Sequence, residues 1–251
     1  MQMLTGKVAI ITGAGQGVGL GIAQAFADAG AALTITGREA GKLQTAAESL
    51  RARGAQVLAY PADARKRADA NAAVAAAIER FGRIDILVNN AQSSVPGTML
   101  EQLDDATIAL TLESGLLGTL YHMQAALPHM KIQGGSIINL GSREGIIGGA
   151  GFGIYAATKE AIRGLSRSAA REWGRYGIRV NVICPAALSP AAVKFFTDNP
   201  GAEAYYNSTT ALGRMGDPLA DIGPVATFLA SEASVYLTGQ TLNADGGQTM
   251  L

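Results

Sequence analysis

The stretch GFGIYAATKEAI, residues 151–162, sets a phenol, Tyr155, four residues before an ammonium, Lys159, among small and apolar side chains. That interval is close to one helical turn, so the two groups share a face of any helix built there. A free phenol titrates near about 10, and a neighbouring cation favours the phenolate, bringing its acidity towards neutral pH. Such a pair can exchange a proton with a substrate oxygen. The plain alternative is a packed tyrosine and a solvated lysine. A second feature is TGAGQGVGLG, residues 12–21, with more glycines than a tight turn needs. Small residues let backbone approach a ligand closely, and free N–H groups at a helix start favour an anion. The pattern is T-G-x-x-x-G-x-G rather than G-x-G-x-x-G, and no Gly-Lys-Ser/Thr follows to make a P-loop.

About 20 residues beyond such a turn, an acidic side chain would bind the ribose 2′-hydroxyl of NAD, whereas an arginine would accommodate the 2′-phosphate of NADP. Here the segment reads TITGREAG, with Gly37 where the acid is expected and Arg38 next to it. A guanidinium matches a phosphate in geometry and charge, which favours NADP(H). Glu39 keeps NAD(H) open, since it reaches the hydroxyl if the loop is shifted, and Arg38 alone has the plain reading of a surface charge.

Metal chemistry has little to build on. Cys184 is the only cysteine, and His122 and His129 are the only histidines, without H-E-x-x-H spacing. One cysteine fits a reducing, cytoplasmic setting. Lysine plus arginine equals aspartate plus glutamate at 20 each, without the basic excess of a nucleic-acid binder. No apolar run approaches the roughly 20 residues of a membrane span, and the N-terminus reads as a strand that starts at once.

The elements that must position these groups alternate. Apolar, β-branched runs at 7–14, 32–37, 56–63, 84–91, 135–142, 178–185 and 239–243 predict strands. Helical spacing predicts helices after the first three strands, then over about 103–131, 153–176 and 218–231. Residues 188–213 have no clean period. Strands that are apolar throughout are buried on both faces, so the expectation is α/β: a doubly wound parallel sheet of about seven strands, helices on both sides, in a single domain over residues 1–251. Ligands of such folds bind beyond the carboxyl ends of the strands.

With T-G-x-x-x-G-x-G at the start and Y-x-x-x-K at 155–159, the chain resembles a short-chain dehydrogenase/reductase of Rossmann type over residues 5–247. NNA at 89–91, Ser142 thirteen residues before Tyr155, VNVICP at 180–185 and LTGQTLNADGG at 237–247 stand in the family's order and spacing. The resemblance implies an oxidoreductase that moves hydride between a nicotinamide and a ketone or secondary alcohol. It implies Tyr155 as general acid/base, Ser142 holding the substrate oxygen, and Lys159 binding ribose and acidifying Tyr155. For the cofactor it implies Gly13, Gln16, Gly17, Val18 and Gly19 at the phosphates and Asp63 and Ala64 near adenine. Asn89, Ala91 and Pro185 would line the cleft, and the Leu188 N–H would meet the carboxamide. For Asp63 a helix-start or turn role is an equal alternative. Assembly as a homotetramer, or a homodimer, follows from the same resemblance.

Three positions depart from the family's pattern. Gly115 stands where an asparagine usually helps hold a proton-relay water, largely through its main-chain carbonyl. Glycine keeps that carbonyl, and its plain reading is close packing. Gln92 and Ala186 replace glycines near the expected substrate mouth. The 188–213 segment resembles the family's variable substrate lid, with Phe195, Phe196, Tyr205 and Tyr206. With Val95, Glu144 and Phe152 these side chains describe an apolar pocket with a carboxylate nearby, although the aromatics can equally pack the lid itself. A ketone/secondary alcohol pair is the expected substrate. A 3-oxoacyl carrier substrate is an alternative, because Arg163, Arg167, Arg171 and Arg175 can face an acidic partner. A non-catalytic dinucleotide-binding regulator is the rival from another class, and an intact serine, tyrosine and lysine argue against it.

Overall fold

The computed structural model describes residues 2–250, and of residue 191 the backbone only. In chain order it runs β1 (Val8–Thr12), α1 (Gly17–Asp28), β2 (Ala32–Gly37), α2 (Ala40–Ala52), β3 (Val57–Pro61), α3 (Arg67–Phe81) and β4 (Ile86–Asn89). Then come α4 (Asp105–Leu112), α5 (Gly118–Met130), β5 (Gly135–Leu140), α6 (Arg143–Ile147), α7 (Gly153–Trp173) and β6 (Ile178–Pro185). The chain closes with α8 (Pro190–Asp198), α9 (Ala202–Ser208), α10 (Gly223–Ala230) and β7 (Thr241–Ala244).

The seven strands form one parallel sheet in the order β3-β2-β1-β4-β5-β6-β7. Strand β1 is buried along its whole length, because both its faces carry apolar side chains under helices. Ile11 faces the layer of α1, α2 and α10, where Ile22, Phe26, Leu43 and Leu229 pack. Ile10 faces the opposite layer of α3, α5 and α7, with Val74, Met123 and Ala169. The strand order reverses between β1, which pairs with β2 on one side, and β4 on the other. That reversal opens a crevice at the carboxyl ends of the strands.

Two expectations change. The single helix over 103–131 is interrupted: residues Glu113–Leu117 form a widened π-turn, in which the Gly118 N–H reaches the Glu113 carbonyl five residues back. The aperiodic 188–213 segment holds two helices, α8 and α9. Nine and seven residues are too few for a period to emerge, although the Ser189 cap on the Ala192 N–H and Pro190 at the first turn are ordinary helix-start signals.

Candidate active site

The glycine turn joins β1 to α1. Gly13 and Gly17 take positive φ angles of 67° and 60°, a region that L side chains rarely enter. Gln16 caps α1 in an extended conformation without a side-chain bond, so the first N–H groups of the helix are left for a ligand. The turn is tied across the crevice. Thr12 Oγ1 accepts from the N–H groups of Asn90 and Ala91, both at 3.0 Å, while Asn90 Nδ2 donates to the carbonyls of Thr12 and Gly13. Gly19 serves this packing: a Cβ there would lie 2.7 Å from the Gly13 carbonyl.

At the end of β2, Arg38 lines the cleft with its Nη2 3.5 Å from Ser93 Oγ. Glu39 is engaged by Lys42 at 2.9 Å. Asp63 and Ala64 line the same end of the cleft. A bidentate contact from Arg65 holds the Asp63 carboxyl below its ordinary value, and Asp63 also accepts from the Arg65 N–H, as a turn residue does.

The cleft continues to Ser142, Tyr155 and Lys159, which the end of β5 and the first turns of α7 bring to one wall. Ser142 Oγ accepts from the Glu144 N–H at 3.1 Å. Lys159 is 4% exposed, and its Nζ donates to the Leu140 carbonyl at 2.9 Å. Desolvation pushes this ammonium down to about 8. Burial raises the Tyr155 phenol, the nearby Ser142 hydroxyl opposes that rise, and the Glu144 carboxylate adds to it. The expectation that Lys159 acidifies Tyr155 is thus not the leading influence here. Lys159 Nζ stands 5.5 Å from the ring centroid, and burial acts more strongly on the phenol. Burial pushes the Cys184 thiol up to about 11, which disfavours the reactive thiolate.

The cleft has a volume of about 560 Å³, within the usual range for a cofactor and small-molecule site. Gln16, Val18, Ala91, Pro185 and Ala186 line it. So do Gln92, Glu144, Phe152 and Phe195, residues expected near the substrate. Five expected residues do not line the cleft: Gly19, which packs on the Gly13 carbonyl, Val95, which is exposed, and Asn89, Leu188 and Tyr205. Asn89 is buried in β4 and donates to Asn139 Oδ1, so its strand neighbour Asn90 faces the cleft, as alternation along a strand requires. The Leu188 N–H is spent on the Gly216 carbonyl at 2.9 Å. Tyr205 is 65% exposed and Tyr206 lines the cleft instead, because consecutive residues of α9 point about 100° apart. Arg143, which sequence reasoning passed over, lines the cleft beside Ser142 and pairs with Glu144 at 3.0 Å. Among the described residues no cluster of three or more His, Cys, Asp or Glu is placed to hold a metal ion.

A family model described as enoyl-(acyl carrier protein) reductase matches residues 13–249. The chain is 42% identical to a 12alpha-hydroxysteroid dehydrogenase of Clostridium sp., over 98% of each chain. The solved structure of levodione reductase superposes with a TM-score of 0.93 at 32% identity, covering 98% of each chain. A gluconate 5-dehydrogenase from Burkholderia cenocepacia, solved with NADP and tartrate, superposes with a TM-score of 0.92 at 33% identity, over 98% of this chain and 96% of that one. With a glycine turn, a lysine–tyrosine–serine wall and relatives matched from end to end, the chain belongs to the short-chain dehydrogenase/reductase family, oxidoreductases that bind a nicotinamide dinucleotide and act on alcohols and ketones.

Proposed function

We propose that the chain is an NADP(H)-dependent oxidoreductase that interconverts a ketone and a secondary alcohol on a largely apolar substrate. The observation that carries this reading is the gathering of Ser142, Tyr155 and Lys159 on one wall of a cleft whose other end holds Arg38 and the glycine turn. The residues fit the cofactor: the α1 start has free N–H groups, and a side chain at Gly13 would lie 2.9 Å from Asn90 Nδ2 and 3.0 Å from Ala91 Cα, so the turn keeps its shape only with glycine. Arg38 would take the 2′-phosphate, while Lys42 neutralises the competing carboxylate of Glu39. When bound, the nicotinamide supplies the hydride. Tyr155 Oη gives its proton to the carbonyl oxygen in reduction, Ser142 Oγ donates to that oxygen as charge develops, and the Lys159 ammonium favours the resulting phenolate.

The substrate end favours an apolar ring or chain. Phe195, Phe196 and Tyr206 pack with centroids 5.5–6.2 Å apart and line the cleft together with the Arg143–Glu144 pair. A relative named for a hydroxysteroid and a neighbour named for levodione support a cyclic ketone. The same reading carries a cytoplasmic location and assembly into a homotetramer or homodimer. Tyr236, 99% exposed, lies shortly before the edge strand β7 and offers contact area. Among the described residues no helix is long and apolar enough to cross a membrane.

NADPH oxidation across a panel of cyclic ketones and 3-oxoacyl thioesters tests the activity. The cyclic ketones are expected to turn over, and Tyr155→Phe to lose at least about 10³-fold in kcat while keeping cofactor affinity within about twofold. Silence on the whole panel, or a Tyr155→Phe enzyme of ordinary activity, would sink the proposal.

A further inference from the structure

The two departures at Gln92 and Gly115 meet in space. Gln92 follows β4, and its Nε2 lies 3.0 Å from the Ser93 carbonyl, 3.1 Å from the Thr111 carbonyl and 3.5 Å from Ser114 Oγ. Two carbonyl acceptors fix which end of the amide is nitrogen. Oε1 is then turned to Gly115, at the middle of the π-turn. A Cβ at 115 would run into that oxygen and would stand 2.9 Å from Gln92 Cδ and 2.6 Å from Thr158 Cγ2. Thr158 is buried and immediately precedes Lys159 on α7.

The carboxamide therefore occupies space that any side chain at 115 would claim. It also ties the loop after β4 to the π-turn, a link doubled by Ser114 Oγ, which accepts from the Ser93 N–H at 2.9 Å. Gln92 Oε1 is buried with no partner among the described residues. A side chain present only to fill space needs no buried acceptor, and leaving one unpaired is costly. The residue lines the cleft, while this acceptor is turned away from it into the contact with Gly115.

We propose that Gln92 and Gly115 form one interlocked unit, in which glycine admits the carboxamide and Gln92 acts as a positioning residue for proton transfer. Through the π-turn and Thr158 it sets the segment of α7 that carries Lys159. This rests on the reading of the cleft as a ketone reductase site.

The test is a double-mutant cycle. Gln92→Met keeps volume and loses the polar atoms; kcat is expected to fall about tenfold while NADPH affinity, read by fluorescence titration, changes less than about twofold. Gly115→Asn alone and Gln92→Gly alone are each expected to lose about tenfold or more in kcat. The Gln92→Gly/Gly115→Asn double variant is expected to lose clearly less than the product of the two single losses, because removing the carboxamide clears Gln92 while Thr158 Cγ2 still has to shift. Losses that multiply in the double variant, or a Gln92→Met enzyme with unchanged kcat, would overturn the proposal. The same cycle read in melting temperature needs no substrate. A wild type inactive on every ketone would overturn the activity while the coupling is still measured, and additive melting shifts would overturn the coupling.

Discussion

Lys159 carries an ammonium and is 4% exposed, and burial disfavours its charge. Desolvation lowers its pKa from the ordinary 10.5 to about 8. Below pH ~8 both folded and unfolded chains hold this proton, and the burial penalty is fully present. Between ~8 and ~10.5 the unfolded chain binds a proton that the folded chain has released, so this residue's contribution to stability rises with pH. Cys184 and Tyr155, whose values burial raises, pull in the opposite direction once the unfolded groups begin to ionise. The useful window is thus from about pH 7.5 to about 9. In it the melting temperature of the cofactor-free protein should rise relative to that of Lys159→Met; parallel curves would refute the burial of a charged lysine. Arg38 makes a separate prediction at the same scale. If its guanidinium holds a 2′-phosphate, Arg38→Ala loses roughly 10–100-fold in NADPH affinity and little in NADH affinity. Equal losses for the two cofactors would remove the basis for NADP(H).

At the scale of elements, α1 is held to the segment before α10 by absence of side chain. A Cβ on Gly21 would stand 2.5 Å from Pro218 Cβ and as near to its backbone. Gly21→Ala should cost about 1–3 kcal/mol by overpacking, visible as a lower urea midpoint at unchanged slope. An unchanged midpoint would show that the contact yields freely. The strands and the helices α1–α3 were legible in the sequence because each is a run whose apolar period reports its own burial. Tyr155 and Lys159 were legible because a helix fixes their separation. What could not be read depends on partners remote in sequence. The π-turn at 113–117 lies against Gln92, some twenty residues earlier, and no local period reports that contact. Asn90 rather than Asn89 faces the cleft because β4 is placed by β1 and β5, and a one-residue choice of face exchanges the two. Leu188 lost its expected N–H to Gly216, a partner across the lid that spacing alone does not reveal.

For the whole molecule, the decisive relation is between the sheet's crevice and the 189–215 segment, the expected lid, whose Phe195, Phe196 and Tyr206 line it. Both roots of the lid are tied: Leu188 N–H donates to the Gly216 carbonyl, and Gly216 N–H donates to Ala186 O at 3.0 Å. Residues 189–215 therefore leave and rejoin the body at one place. Near that root the lid touches the glycine turn, since a side chain on Gly17 would come within 3.3 Å of Pro190 Cδ and 3.4 Å of Ser189 Cβ. Farther out, α9 has no buried residue, and the lid's aromatics pack on one another. Segments with few buried contacts open at low cost, whereas a ligand gripped near their root shifts them towards the closed form. NADPH seated on the α1 start should thus protect the lid. Chymotrypsin cleavage after Tyr205, 65% exposed, is expected to slow about tenfold in saturating NADPH, while cleavage after Tyr236, 99% exposed and outside this segment, keeps its rate, as followed by mass spectrometry of the fragments. Equal rates at Tyr205 with and without NADPH would mean that the lid and the cofactor turn, although adjacent, move independently.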